Sequence, residues 1–499
     1  MDKKYIDIPL YTTFNEILNK GYTLSATQYK SLKINNKNTK KLSELIDREL
    51  IRNDLGNEVG SECYVENSPY RFIKTKALQK ESYLLDIRKD SVENIVPRSY
   101  IGMGLREGDL LISKDSNVGE IVILEKDYPD TMICGGIYKL PISTNKYYIL
   151  AFIKSELFRQ QIDFLVPRGS TLRHGKTKFL DCYIPFPNIN ADKTINYIEI
   201  LMRSIINKEI AIQKRYEQIQ NQIKEELENN QKDNKYTYSL PTIEQILTLD
   251  RMDSSLYSEK FRKNEFLLKN YAYGYSTIRD LGFEFVRGNN LAISVIGKSI
   301  YSSEVHDGFY TLILPKNITK YGTINKIEYL GNKSKMIPIR KGAVIFGAEG
   351  NEKGRSWVAI NPNDKTITNF HGLTLYQKES NLSKSIFVKL FLDYFRATGM
   401  VDDYATGGNG GSLSIKYWDI IPFPNFPPEK ESELVNLYYN PEAKFRTDEQ
   451  TLDSFLNFDE TFNDKAGIYE LDNSMKLLQR RLQDALDHIT NDKEVNIVF

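Results

Sequence analysis

Cysteine and tryptophan are scarce in this chain of 499 residues, which contains three of the first and two of the second. Cys63, Cys134 and Cys182 show no Cys-x-x-Cys spacing, so the sequence predicts neither a disulfide framework nor a structural zinc site. So few cysteines suit a reducing compartment, and we expect a cytoplasmic protein. Tyrosine and phenylalanine, by contrast, number 32 and 24, which favours β-rich cores.

Long apolar runs are also lacking. The longest are short, such as YYILAFI at 147–153, far below the ~20 residues that span a bilayer. The opening residues, MDKKYIDIPLYTTFNE, contain no apolar core of signal-peptide length. We therefore expect no membrane partner.

Neither sign of charge is in excess. The chain has 67 lysines and arginines against 66 aspartates and glutamates, for a net charge of +1. A balanced chain can still concentrate basic residues on one face. The charge balance therefore neither supports nor excludes a nucleic-acid partner.

Motifs for catalysis are missing as well. The four histidines lie far apart in sequence without metal-ligand spacing, and there is no P-loop, Gly-x-Ser-x-Gly or His-Glu-x-x-His. Asn67-Ser68-Pro69-Tyr70 resembles the Asn-Pro-Pro-Tyr motif of adenine methyltransferases, but its second position is serine and no glycine-rich cofactor loop precedes it. We predict no catalytic residue, no metal and no cofactor of its own.

What the chain does contain is an internal repeat. Ile-Pro-Phe-Pro occurs twice, with its first proline at Pro185 and Pro422, a separation of 422 − 185 = 237 residues. REGDLLIS at 106–113 aligns with RKGAVIFG at 340–347, and further pairs follow in the same order. Each copy predicts short strands, an apolar helix, a glycine-rich loop and a strand that enters the Pro-x-Pro exit and is stopped there. A duplication explains this order.

A long helix is predicted after each exit. The first, about 195–228, has no proline or glycine and carries isoleucine every seven residues, with Glu209 as the one break in the second heptad position. The second seam steps by three and four from Ile468 to Ile489. We expect the two seams to pack on each other, as a spacer between two globular units; the alternative is that each helix packs only on its own domain. The predicted seam residues are Ile198, Ile205, Ile212, Ile219, Leu471, Leu478 and Leu482.

These motifs resemble the specificity subunit of type I restriction–modification enzymes across nearly the whole chain. The resemblance implies an α+β fold with two tandem target recognition domains, separated by long helices that pair as an antiparallel coiled coil. It implies that each domain reads one half of a bipartite double-stranded DNA site, and that the helices dock methyltransferase subunits, two by expectation. The S-adenosylmethionine cofactor would then lie on the partner adenine methyltransferase, and a restriction or translocase subunit would complete the assembly.

Domain boundaries follow from the repeat and its exits. RKGAVIFG lacks the aspartate of REGDLLIS, and the stretch before the second seam has no counterpart in the first copy, which leaves open whether a related split-target system uses this chain. We predict a first target recognition domain at 1–190, a spacer helix at 191–235, a second recognition domain at 236–427, a linker or insertion at 428–466 and a C-terminal coiled-coil helix at 467–499.

Candidate DNA contacts divide into phosphate and base contacts. The loop at 168–178 is basic and contains glycine, which suits phosphate binding, although a solvated surface loop is the plain alternative; its counterpart is the loop at 405–416. The segments that differ most between the copies, about 52–100 and 286–340, are candidates for base reading, with Arg71 and Arg287 as guanine readers. The predicted DNA-binding residues are Arg168, Ser170, Thr171, Arg173, Lys176, Lys178, Arg71, Lys74, Arg287, Lys353, Arg355, Ser412 and Lys416.

Two other classes of function stay open at the level of sequence. One is an autonomous two-domain site-specific DNA nuclease, and the other is a coiled-coil adaptor that binds only proteins. Divalent-metal-dependent cleavage would identify the first, and failure to retain any DNA would identify the second.

Overall fold

A computed structural model describes residues 5–7, 9–19, 21–24, 29–88, 90–166, 174–350, 353–407 and 410–499. The chain forms two compact units. The first unit contains the chain up to Ile210 together with Phe445–Asp464 and Asn473–Phe499, and the second contains Ala211–Lys444 and Lys465–Asp472. Across the described ranges, no helix is both long and apolar enough to cross a membrane.

The first unit begins with short strands and ends in a long helix. Its strands are β1 (Ile6–Asp7), β2 (Ser31–Leu32), β3 (Thr39–Lys41), β4 (Tyr64–Val65), β5 (Arg71–Ile73), β6 (Val92–Ile95), β7 (Leu110–Ser113), β8 (Ile121–Ile123), β9 (Thr131–Ile133), β10 (Ile137–Leu140) and β11 (Tyr183–Pro185). Its helices are α1 (Phe14–Asn19), α2 (Lys146–Lys154), α3 (Glu156–Leu165) and α4 (Ala191–Asn229), the last of which continues into the second unit.

The second unit repeats this plan with more helix at its end. Its strands are β12 (Tyr275–Ser276), β13 (Phe283–Arg287), β14 (Ile300–Ser302), β15 (Tyr310–Leu312), β16 (Glu328–Gly331), β17 (Val344–Gly347), β18 (Ser356–Val358), β19 (Thr366–Ile367), β20 (Gly372–Gln377) and β21 (Phe423–Pro424). The helices are α5 (Ile243–Leu249), α6 (Glu259–Lys269), α7 (Ile293–Ile296), α8 (Leu382–Thr398), α9 (Met400–Tyr404), α10 (Pro428–Tyr438), α11 (Phe455–Lys465) and α12 (Ile468–Thr490), with α11 and most of α12 contributing to the first unit.

The two units share one sheet topology. In the first, a four-stranded sheet has the order β4-β6-β5-β9, and only its β5–β9 pair is parallel. In the second, the order is β14-β16-β15-β19, and again only the last pair, β15–β19, is parallel. A neighbouring antiparallel sheet has the order β10-β7-β8 in one unit and β13-β20-β17-β18 in the other. The α+β class predicted from the sequence is confirmed, and the matching topology supports a duplication.

A Gly-Asn pair occupies the same structural position in both units, which aligns the two copies residue by residue. Gly56 donates its backbone N–H to the carbonyl of Ile137 at 3.0 Å, and Gly288 donates to that of Gly372 at 3.0 Å. A Cβ on Gly56 would lie 2.1 Å from the carbonyl oxygen of Cys134, and one on Gly288 would lie 2.2 Å from that of Asn369. Both positions require glycine because the backbone of a neighbouring segment lies where a Cβ atom would be.

Substitution of either glycine should therefore destabilise the unit that contains it. We expect Gly56→Ala and Gly288→Ala each to cost about 1–3 kcal/mol in the free energy of unfolding, since a backbone carbonyl has to move. Gly102→Ala is the matched control, because its Cβ would meet nothing nearer than the Tyr100 hydroxyl at 3.6 Å. Urea unfolding of the three variants measures the difference. A Gly288→Ala variant as stable as Gly102→Ala would contradict the close approach.

The strand at each Ile-Pro-Phe-Pro motif pairs with an earlier strand of the same unit. In the first unit, β11 pairs with β3 and ends at Pro185, as the proline rule predicts. In the second, β21 pairs with β12 but begins after Pro422, so the expectation of a strand entering the motif is wrong there. The preceding residues Ile415–Asp419 form a 3₁₀ helix instead, because this turn buries Tyr417 and Trp418.

The long helices pack on each other within the first unit. Ile198 and Ile205 of α4 share one buried cluster with Leu478 and Leu482 of α12. Asn190, just before α4, donates to the carboxylate of Glu494 beyond the end of α12 at 3.0 Å, so the start of one helix lies by the end of the other. The pair is therefore antiparallel, as predicted.

Glu209, the break in the first seam, has a structural explanation. Its carboxylate accepts the Ser82 hydroxyl at 2.5 Å and the backbone N–H of Tyr83 at 2.8 Å. The acidic residue is nearly buried and satisfied by a loop of the first unit, as a buried polar group requires. At this position the helix packs on its own domain as well as on its partner helix.

The stretch 428–466 between the second exit and the second seam is largely helical. It contains α10, which contacts α8, and α11, which belongs to the first unit except for its last residue, Lys465. Lys208 of α4 forms a buried ion pair with Asp459 of α11, with 2.7 Å between Nζ and Oδ1. The C-terminal part of the chain is thus built into the first unit through α11 and α12.

Candidate functional site

Both units carry an acidic residue at one equivalent position, just beyond an inner strand of the wholly antiparallel sheet. Asp115 follows β7, and Glu349 follows β17. Asp115 forms an isolated β-bridge with His174, and Glu349 forms one with Ser412. His174 and Ser412, one residue from each predicted glycine-containing loop, therefore lie at the same strand end in the two units.

In the first unit this strand end combines acidic and basic groups. The Asp115 carboxylate accepts from His174 Nδ1 at 2.8 Å and forms an ion pair with Lys114 Nζ at 2.7 Å. Lys176 is exposed and has a left-handed backbone with φ of 48°. Lys178 is exposed and lies 3.6 Å from the carboxylate of Asp181. The basic groups at the end of this loop are thus accessible to solvent.

Four of the predicted loop residues cannot be placed in this geometry. Arg168, Ser170, Thr171 and Arg173 lie outside the described residues. The prediction that they contact phosphate stays a prediction from the sequence.

In the second unit the carboxylate has two basic partners. Glu349 accepts from Arg287 Nη1 at 2.9 Å and from His371 Nδ1 at 2.8 Å. Partial burial raises the pKa of Glu349, but the His371 hydrogen bond and the Arg287 charge outweigh it, so the pKa lies below its usual range. The Arg287 guanidinium lies over the Phe370 ring, 5.2 Å from its centroid.

Lys353 has an internal role in the second unit. Its ammonium lies 2.5 Å from the Asp402 carboxylate and donates to the Gly410 carbonyl at 2.6 Å, and its side chain is only 10% exposed. Thr406 and Ser412 exchange backbone hydrogen bonds at 3.0 and 2.8 Å. Lys353 therefore holds the glycine-rich loop in place, and little of its charge faces solvent.

The remaining predicted contacts of the second unit differ in accessibility. Arg355 donates from Nη1 to the Ile318 carbonyl at 2.9 Å, within the unit. Lys416 is exposed and lies 3.5 Å from the carboxylate of Asp250. Lys416 is thus accessible to a partner, whereas Arg355 is half-buried.

The base-reading candidates of the first unit lie on β5 and just after it. The Arg71 side chain is exposed at the beginning of this strand. Lys74 forms an ion pair with Glu93 at 2.7 Å, and its ammonium lies 5.1 Å from the Tyr64 ring centroid. Of the two, Arg71 is the more available for a ligand.

All seven predicted seam residues are buried. Four belong to the core of the first unit, as described above. The other three, Ile212, Ile219 and Leu471, are buried in the second unit.

Sequence reasoning missed Asp115, Glu349 and His371. The alignment of REGDLLIS with RKGAVIFG contained the signal for two of them: 115 − 106 = 9 and 349 − 340 = 9, so both acids follow the aligned arginine by nine residues. Nothing comparable marks His371, because its counterpart in the first copy is Gly136. Within the described ranges, no group of three or more histidine, cysteine or acidic side chains is arranged to hold a metal ion.

Comparison with known proteins gives structural matches only. No protein-family profile and no curated protein matches the chain. Solved structures that match include a type I restriction–modification S subunit from M. genitalium (12% identity, TM-score 0.40, 91% of this chain and 96% of that chain) and the HsdS subunit from Thermoanaerobacter tengcongensis (10%, 0.26, 91% and 96%). A component of a type I R-M system studied for complex assembly also matches (12%, 0.27, 91% and 97%). The M. genitalium protein is an S subunit of the type that the sequence motifs resemble.

Proposed function

We propose that this chain is a DNA sequence-specificity subunit that recognises a bipartite target. The observation that carries the proposal is the duplication: two units share one topology, yet present different polar side chains at the same strand end. Asp115 lies with Lys114 and His174 in the first unit, whereas Glu349 lies with Arg287 and His371 in the second. Two copies of one scaffold with different contact groups suit two different half-sites.

Recognition would divide between the two kinds of contact. Exposed lysines of the glycine-containing loops, Lys176, Lys178 and Lys416, would contact phosphates and position the duplex. Arg71 in the first unit and Arg287 in the second would reach base edges. Because the chain shows no catalytic motif, we propose that it performs no chemistry and directs a partner adenine methyltransferase, which binds S-adenosylmethionine, and an associated nuclease.

The long helices are the proposed docking site for methyltransferase subunits. α4 is a continuous helix of 39 residues, roughly 58 Å long, and it contributes residues to both units. Its apolar seam is already buried in this chain, so a partner would contact the remaining faces of the helices, with the paired seam as support.

A selection experiment tests the proposal. The chain of 499 residues, alone and mixed with a type I adenine methyltransferase subunit from the same host, is incubated with a degenerate duplex pool, and retained sequences are read. We expect two specified segments separated by an unspecified one, and methylation within that motif. Exchange of the second unit for that of a relative should change one segment only. A single contiguous motif, cleavage by this chain alone, or no retention would contradict the proposal.

Salt dependence provides a second test at the level of single residues. Neutralising one phosphate contact removes about 0.9 from the slope of log affinity against log salt. We expect this change for Lys176→Gln and Lys178→Gln, with base preference unaffected. Lys74→Gln is the comparison variant, and its slope should change less because Glu93 already neutralises the ammonium. Equal slopes for wild type, Lys176→Gln and Lys178→Gln would remove this loop from the interface.

A further inference from the structure

An Arg–Glu–His cluster in the second unit is composed of groups from three different strand ends. Arg287 ends β13, Glu349 follows β17 and His371 precedes β20. The three side chains are neither fully buried nor free: those of Arg287 and Glu349 are 23% and 30% exposed, and that of His371 is 64% exposed. A cluster held by an antiparallel sheet and open to solvent is a rigid support for binding.

The contacts of Arg287 leave one edge of its guanidinium available. Within the described residues, its side-chain hydrogen bonds are both donated by Nη1, to Glu349 at 2.9 Å and to the Phe370 carbonyl at 3.5 Å. The Phe370 ring packs against the guanidinium and restricts its plane. The donors on Nε and Nη2 form the fork that binds the O6 and N7 acceptors of guanine.

The corresponding position in the first unit carries no such group. Leu55 precedes Gly56 and bridges Tyr138, as Arg287 precedes Gly288 and pairs with Leu373. An equivalent carboxylate is present in both units. In the first unit, however, its basic partners are Lys114 and His174, which lie at other positions than Arg287 and His371 do in the second. Arg287 therefore fills a variable position beside a shared acidic group.

We propose that Glu349 positions Arg287 to read a guanine in the half of the target that the second unit contacts. The proposal rests on the function proposed above. Glu349 itself is unfavourable near DNA phosphates because it is a carboxylate, and His371 fixes its second oxygen. Its role is to orient the guanidinium, and Arg287 makes the base contact.

Three variants test the assignment in the full chain with the degenerate duplex pool. Arg287→Gln should lower discrimination at one base pair roughly 10- to 100-fold, and Arg287→Lys should lower it too, because lysine keeps the charge but lacks the planar fork. Glu349→Gln should lower discrimination at the same base pair, roughly three- to tenfold, while affinity for random duplex stays equal or rises. A merely structural role would lower both.

Two further measurements make the outcome decisive. Glu349→Gln combined with Arg287→Gln should behave as Arg287→Gln alone, since positioning matters only when the arginine is present. Asp115→Asn removes the equivalent charge from the first unit and should leave that base pair unchanged. Urea unfolding checks that each variant folds, and Arg287→Lys replaces Arg287→Gln if the latter does not fold.

The possible failures are distinguishable. If the wild-type chain selects no sequence, the proposed function itself fails. If the wild type selects a bipartite motif and Arg287→Lys and Glu349→Gln keep it unchanged, or lose bases in both halves, the function stands and the positioning role of Glu349 is overturned.

Discussion

Asp459→Ala should cost about 3–5 kcal/mol in the free energy of unfolding, because it leaves the ammonium of Lys208 buried without its counter-ion. The two side chains are 0% and 1% exposed, and Lys208 Nζ lies 2.7 Å from the Asp459 carboxylate. The ammonium also donates to Asn463 at 2.8 Å and lies over the Phe445 and Phe462 rings. Those contacts reduce the cost of burying an unpaired ammonium, but the charge stays buried.

The double variant Lys208→Met/Asp459→Leu separates charge from packing. Replacing a buried ion pair by apolar groups of similar volume is often neutral or stabilising, so we expect the double variant to recover most of the loss. Glu228→Ala is the control, since its pair with Lys224 is exposed at 3.9 Å and contributes less than about 1 kcal/mol. Urea unfolding near pH 7 measures all three. An Asp459→Ala variant no less stable than Glu228→Ala would contradict the argument.

The loss in Asp459→Ala should shrink as pH rises. Burial lowers the pKa of Lys208 to about 8, against the opposing effect of Asp459, and removal of that acid lowers the pKa further. The unfolded chain has a lysine pKa of about 10.4 and binds more protons between these two values, so this group makes stability rise with pH through that window. Unfolding measured from pH 7 to 10 should therefore show the difference in stability between the wild type and Asp459→Ala becoming smaller, since other titrating groups contribute equally to both. A difference that grows with pH would show the sign to be wrong.

Ile212→Asp should be at least as damaging, at about 5 kcal/mol or more, because it replaces a buried apolar side chain by an unpaired carboxylate. Ile212 is 3% exposed in α4. We expect a lower midpoint temperature in thermal unfolding. We also expect the variant to fail to co-purify with the methyltransferase. Gln218→Asp adds the same charge on an exposed position of the same helix and should preserve both. Wild-type assembly of Ile212→Asp would argue strongly against the helical platform.

Periodicity made the helices and strands predictable. The heptad isoleucines placed α4, and the alternating segments placed β7, β8, β17 and β18, because local pattern decides these elements. The repeat also matched the two glycine-containing loops. Glu209 broke the pattern for a reason that the pattern could not contain, since its partners Ser82 and Tyr83 lie more than 120 residues away in sequence.

The contacts of the candidate site depend on long-range pairing. Arg287 and Glu349 are 349 − 287 = 62 residues apart, and no periodicity connects them. The sequence predicted Lys353 as a DNA contact, whereas in the fold its ammonium pairs with Asp402 and donates to the Gly410 carbonyl. Single-sequence reasoning ranks basic residues by type and loop, but pairing with an acid decides which charges remain available.

The segments that form the first unit are synthesised at different times, because they are far apart in the sequence. The part of α4 that belongs to this unit ends at Ile210 and packs against Phe445–Asp464 and Asn473–Phe499, so at least 444 − 210 = 234 residues emerge from the ribosome in between. At ~5–20 residues per second, the nascent chain carries this part of α4 uncovered for roughly 10–50 s. During that interval the apolar surface is exposed to other proteins. A chain truncated within the second unit has a first unit that lacks part of its own core.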